Sequence, residues 1–255
     1  MAYSLEKRSP SSRLKALCAV VTAVIGAVAT LVVSGGWDRL QGLWQDPLIV
    51  EATFGDSDPC GGHVIPLPVQ ELPPLTAEQW DMSAGEWSEP LGGVIADTSY
   101  VAVQVFGRGP DAVVLNDLKI GVVERAKPLT GTYISSACGE AVSVRYMSVD
   151  LDDPKLEIEA GDTRQNTMDV PVDPIRFPYK VSASEPEVFS IVASTASCLC
   201  SWVADLEWSA GGERGSVRID DHGKPFTVTT SRGVPAYTFN FSETGALVPR
   251  DLGHG

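Results

Sequence analysis

The sequence predicts a mainly β protein, in which an N-terminal transmembrane helix is followed by an antiparallel immunoglobulin-like β-sandwich. Three observations lead there. Residues 16–33, ALCAVVTAVIGAVATLVV, carry no charge. From about Gly92 onward, apolar residues recur at every second position in short runs, each bounded by Gly, Pro, Asp or Ser, which is the pattern of half-buried strands. No helix-period segments alternate with those runs, which points to an antiparallel sandwich rather than a parallel sheet.

The elements follow in order. Residues 1–15 form a basic stub with Lys7, Arg8, Arg13 and Lys15. Within the expected span over 16–34, the uncharged run 16–33 reaches about 27 Å as a helix, close to the ~30 Å hydrocarbon core. Its basic flank predicts a cytoplasmic N-terminus and an exported C-terminal part, so the expected location is the cell membrane and the expected partner of 16–34 is the lipid bilayer. The alternative is a cleaved signal peptide, since Ala27-Val28-Ala29 imitates a processing site; the apolar run is longer than the ~7–15 residues of a signal core. Trp37, Leu40 and Trp44 then fall near helical spacing, as in a juxtamembrane helix with indoles at headgroup level.

The segment 35–91 reads as juxtamembrane and Pro-rich extended chain packing on the sandwich. Within it PLIVEATF (47–54) is strand-like, and PCGGHVIPLPVQELPP (59–74) has too many prolines for a helix or a central strand, so an edge or connector is expected. Thr76 with Gln79 three residues later is a capping-box start for a turn or two of helix. Eight strand-like runs fill the sandwich, assigned to 92–232: 100–106, 112–124, 142–151, 176–183, 188–194, 198–209, 216–219 and 226–230. Residues 233–255 read as a C-terminal tail.

One run carries the distinctive motif CLCSW. Alternation places Cys198, Cys200, Trp202, Ala204, Leu206 and Trp208 on one apolar face, which makes that face the core side and sets Trp202 and Trp208 beside the cysteines. Residues i and i+2 of an extended strand lie about 6.6 Å apart at Cα, near the upper limit for a bridge. The expected disulfides therefore join Cys198 and Cys200 to Cys60 and Cys138, four cysteines in an oxidising compartment. The alternative, Cys198–Cys200 with Cys60–Cys138, is the arrangement in which redox function becomes possible.

Composition excludes several function classes. A net charge of −14 and a pI near 4.5 argue against nucleic acid as a partner, because phosphates repel an acidic surface. His63, His222 and His254 are not spaced as a zinc pair. Asp150, Asp152 and Asp153 stand in the acidic run VDLDDPKLEIEAGD; they are a weak Ca²⁺ alternative that lacks EF-hand spacing, and a solvated strand end is favoured. No nucleophile elbow, zincin, Walker or C-x-x-C motif occurs. FGRGPDA (106–112) imitates a dinucleotide fingerprint but leads into another strand. The reading is of no catalytic residue and no cofactor.

The phrases FPYKVSASEPEVFSIVAS, CLCSW and GSVRIDDHGKPF, within roughly residues 95–230, resemble the exported part of single-span membrane proteins of actinomycete bacteria. That resemblance implies a bacterial envelope setting and brings no activity or site. The function expected is a non-catalytic, membrane-anchored, extracytoplasmic domain that binds an envelope protein or glycan or serves a structural role. The alternative is an extracytoplasmic thiol-disulfide redox protein using Cys198 and Cys200.

Overall fold

The computed structural model describes residues 46–54, 62–74, 84–109, 111–135, 145–161, 173–240 and 246–250. The expected membrane span, its flanks, the Thr76 helix start, Cys60 and Cys138 lie outside these residues. No helix among the described residues is long and apolar enough to cross a membrane. All elements below belong to the unit that runs from Leu48 onward.

The strands, in chain order, are β1 (Leu48–Phe54), β2 (Gly62–Ile65), β3 (Val94–Ile95), β4 (Thr98–Gly107), β5 (Val113–Ala126), β6 (Thr132–Ser135), β7 (Arg145–Asp150), β8 (Ile158–Gly161), β9 (Tyr179–Val181), β10 (Glu187–Ser194), β11 (Leu199–Ala210), β12 (Glu213–Ile219), β13 (Phe226–Thr229), β14 (Ala236–Asn240) and β15 (Ala246–Pro249). A short helix α1 (Ala84–Ser88) precedes β3. The fold is mainly β, and all eight expected runs carry a strand.

There are three sheets. The first has the order β1-β4-β10-β7-β8; the second β12-β11-β5-β9, with β13 also on β11; the third β15-β14-β6-β2-β3. Most neighbours are antiparallel, but β10 with β7 and β14 with β6 run parallel. The expected antiparallel pairing holds for most neighbours; the two parallel pairs and the third sheet go beyond the expectation. The third sheet escapes sequence reading because its strands are short. Within 59–74, the four residues Gly62–Ile65 between Pro59 and Pro66 are free of proline, and β2 pairs on both sides, with β3 and β6. The segment read as a tail, 233–255, supplies β14 and β15.

One apolar cluster draws on both of the first two sheets. It joins Val101, Val103, Val105, Phe189 and Ile191 of the first to Leu115, Trp202, Leu206 and Phe226 of the second. Alternation produces it: β4 buries every second residue, and β11 buries Cys200, Trp202, Ala204, Leu206 and Trp208. Phe226 stacks at 4.9 Å from Trp202 and 5.0 Å from Phe54. In β5 the inward phase slips, because the pairing with β11 skips Asn116 and Val123. These are bulges, each adding one residue to one strand, and Val123, turned outward, is 60% exposed.

The far end of the first sheet is tied by Arg145 at the start of β7. Its guanidinium donates to Glu187 at 2.6 Å and to the Tyr179 hydroxyl at 3.1 Å. On the solvent face of the second sheet Arg218 forks onto its cross-strand partner Asp205 at 3.1 Å.

Candidate functional site

The connection from β10 to β11 crosses from the first sheet to the second, and it does so in the four residues Thr195–Cys198. A polar turn at that crossing must find partners for its backbone N–H groups. Asp152, just past β7, supplies them. Its Oδ1 accepts from Thr195 Oγ1 at 2.9 Å and Ser197 Oγ at 2.6 Å, and its Oδ2 accepts from Ala196 N at 2.7 Å. Partial burial pushes this carboxyl up, but the hydrogen bonds from Ser197, Ala196 and Thr195 and the charge of Arg125 outweigh it, holding Asp152 below its ordinary value. Arg125 itself donates to the Leu151 carbonyl at 2.9 Å.

Asp97 does the same for the neighbouring turn. It sits between β3 and β4 with φ of 63°, a left-handed conformation that Asp tolerates better than most residues. Its Oδ1 accepts from Ser231 N at 2.7 Å and Thr230 Oγ1 at 3.2 Å, while Oδ2 accepts from Ser231 Oγ at 2.5 Å. Its backbone N–H donates to Thr229 at 2.6 Å and its carbonyl accepts from Thr195 N at 2.9 Å. One residue thus joins the end of β13 to the β10–β11 crossing.

Between these turns lies a cleft of about 470 Å³ lined by Asp97, Asp150, Asp152, the hydroxyl residues of 194–195 and 230–231, and Arg232. Arg232 is exposed, and among the described residues its side chain makes no ion pair. The cleft combines acceptors fixed in place with one cation free to reach a ligand.

Cys198 adjoins the cleft lining, its Sγ 3.1 Å from Thr195 Oγ1. Cys198 and Cys200 are bridged to each other, Cα to Cα 5.3 Å, so the expected tie of these two to Cys60 and Cys138 is overturned. The reason is local: Cys198 precedes the first residue of β11 and belongs to the turn, so the extended-strand separation does not apply to it. Both sulfurs are on the core face as expected, with Cys198 4% and Cys200 0% exposed, and Trp202 and Trp208 follow on the same face. A ring of three residues restricts the unfolded chain by only about 1.6 kcal/mol, against about 5 kcal/mol for a bridge from Cys198 to Cys60. This bridge acts on its turn more than on the whole fold.

The weak Ca²⁺ candidates are otherwise employed. Asp150 Oδ1 accepts from Asp152 N at 2.9 Å and Asp153 Oδ1 from Lys155 N at 2.8 Å, both fastening the β7–β8 loop. Among the described residues no group of three His, Cys, Asp or Glu converges as a metal site. Asp97, Thr195, Ser231 and Arg232 stand in no recognisable motif of the sequence. Their only signal was the polar character of ADTS, STAS and TTSR between strands, which reads equally well as turn punctuation. No protein-family profile, curated protein or solved structure matches the chain.

Proposed function

We propose that the chain is a membrane-anchored, non-catalytic domain of a bacterial envelope, in which an immunoglobulin-like sandwich presents the polar cleft to a wall glycan or an envelope protein. The observation that carries this reading is the cleft. Its carboxylates are held by backbone and hydroxyl donors, an arrangement suited to recognition by fixed acceptors, since preorganised groups lose little freedom on binding. The uncharged run 16–33 with its basic flank supports the anchor, and the resemblance to actinomycete single-span proteins supports the setting.

Two measurements test it. Full-length protein should stay with membranes through an alkaline carbonate wash; release into the soluble fraction refutes the anchor. It should also sediment with isolated cell-wall sacculi, and Arg232→Ala, which removes an exposed side chain and leaves the core untouched, should weaken that binding about tenfold. Equal binding by the variant refutes the cleft as the contact.

A second reading, thiol-disulfide exchange with other proteins, draws on the Cys198–Cys200 bridge. Burial of both sulfurs weighs against it, because a protein substrate must reach the sulfur it exchanges with.

A further inference from the structure

We propose that the Cys198–Cys200 bridge is a redox latch on the cleft: reducing it rearranges the Thr195–Cys198 turn and so releases Asp152 from the cleft wall. The inference rests on the cleft being the working end of the molecule, but its test reads the turn itself and needs no ligand.

The coupling runs through one hydroxyl. Thr195 Oγ1 donates its only proton to Asp152 Oδ1 at 2.9 Å, accepts from Ser197 N and Cys198 N, each at 3.3 Å, and lies 3.1 Å from Cys198 Sγ. Its two lone pairs are therefore committed. In the disulfide Sγ has no hydrogen and makes no demand on them. A reduced Cys198 thiol at the same place is a third donor competing for two lone pairs, and a thiolate draws the Thr195 proton away from Asp152. Either species displaces a bond that holds the turn. Asp152 loses its grip with it, since all three of its donors, Thr195, Ala196 and Ser197, belong to that turn.

Access agrees. Ala196 and Ser197, which precede Cys198 in the turn, are exposed, and Cys198 itself stands before the first residue of β11, so opening the turn requires no break in that strand. The reductant is a dithiol. Its thiolate attacks Cys198 Sγ, the S–S bond breaks, and Cys200 leaves as a thiolate that takes up a proton. The second thiol of the reductant then displaces Cys198 from the mixed disulfide. One protein disulfide becomes two thiols, the dithiol becomes a disulfide, and two electrons and two protons have moved.

The test is hydrogen exchange by mass spectrometry on full-length protein in detergent, with and without dithiothreitol, alongside alkylation mapping of peptides containing 198 and 200. The expected result is that both thiols become alkylated and the amides of 195–198 exchange at least tenfold faster, while 203–208 of β11 stay within twofold. A bridge that resists dithiothreitol until the protein unfolds overturns the latch. So does a reduced bridge with an unchanged turn, and so does faster exchange along all of β11, which marks a staple for the whole strand. Thr195→Val should exchange fast at the turn in both redox states; a tenfold redox difference persisting there overturns the coupling through Thr195.

Discussion

Lowering the pH from 7 to 5 should destabilise the protein by about 2 kcal/mol through His63 alone. This side chain sits on β2, paired on one side with β3 and on the other with β6, and is 8% exposed. Among the described residues its Nδ1 has no hydrogen-bond partner, and burial pushes its pKa down from 6.5 to about 4. A depressed value in the folded state means that the unfolded chain binds the proton first, so stability is full above the unfolded value and is lost as the pH falls. With 6.5 unfolded and about 4 folded, the difference between pH 7 and pH 5 comes to about 1.8 kcal/mol, levelling near 3 kcal/mol below pH 4. Urea unfolding followed by tryptophan fluorescence measures it, Trp87 being part of the cluster that also holds Ile65 and Ile134 of β2 and β6. Carboxylates titrate over the same range, so the comparison is with His63→Leu, which lacks the imidazole and keeps an apolar side chain. The native protein should lose about 2 kcal/mol more than the variant between the two pH values. Equal losses would show that His63 is solvated or partnered, and would refute the argument.

Other substitutions report on packing. Gly215→Ala places a Cβ 2.4 Å from the Trp208 ring and should cost about 1–3 kcal/mol by overpacking, read as a fall in the urea midpoint; a neutral result would mean the indole is free to move. Glu187→Gln should cost about 2 kcal/mol by leaving Arg145 with an uncompensated, partly buried charge, whereas Arg145→Met with Glu187→Leu together should cost less than the single change. Cys198→Ser should cost about 1.6 kcal/mol, the loop-closure value for a three-residue ring; a loss near 5 kcal/mol would show that Cys198 closes a long loop instead. Asp152→Asn should flatten the stability profile at the acid end, because a carboxyl held below its ordinary value contributes stability that disappears as the pH falls through its folded pKa.

The long strands were legible because they are long. In β4 and β11 an apolar residue recurs at every second position over four or five alternations, and burial follows that count, with Val203 of β11 the one off-phase residue that is also buried. Cys200, Trp202, Ala204, Leu206 and Trp208 all landed on the face alternation assigned to them. A four-residue strand such as GHVI or TYIS offers too few alternations to separate it from a loop, and its hydrogen bonds come from partners far along the chain. The cleft failed for a related reason. Asp97, Asp152, Thr195 and Ser231 lie on four separate turns, and each is a residue type that turns favour anyway. Only the order of strands across three sheets brings them together, and no local pattern encodes that order. The disulfide departs from the expected pairing because the extended-chain distance does not hold for Cys198, which stands one residue before the strand begins.

The parallel pairing of β6 with β14 has a consequence for how the molecule is made. A ribosome releases the chain from its N-terminus, so β2, β3 and β6 emerge and pair while the residues that will cover the other side of β6 are still unsynthesised. Tyr133 waits for Ala236, and Ser135 for Thr238. Through that interval β6 presents an unpaired edge, the kind of surface on which chains join one another. Its brevity, four residues, limits how much backbone a stray strand can capture. The two sheets that share the large core face no such delay at their centre, because β4, β5, β10 and β11 are all complete by Ala210. Synthesis therefore finishes the two core sheets first and closes the third sheet last, and a chain interrupted before Ala236 should fold its core yet associate through β6.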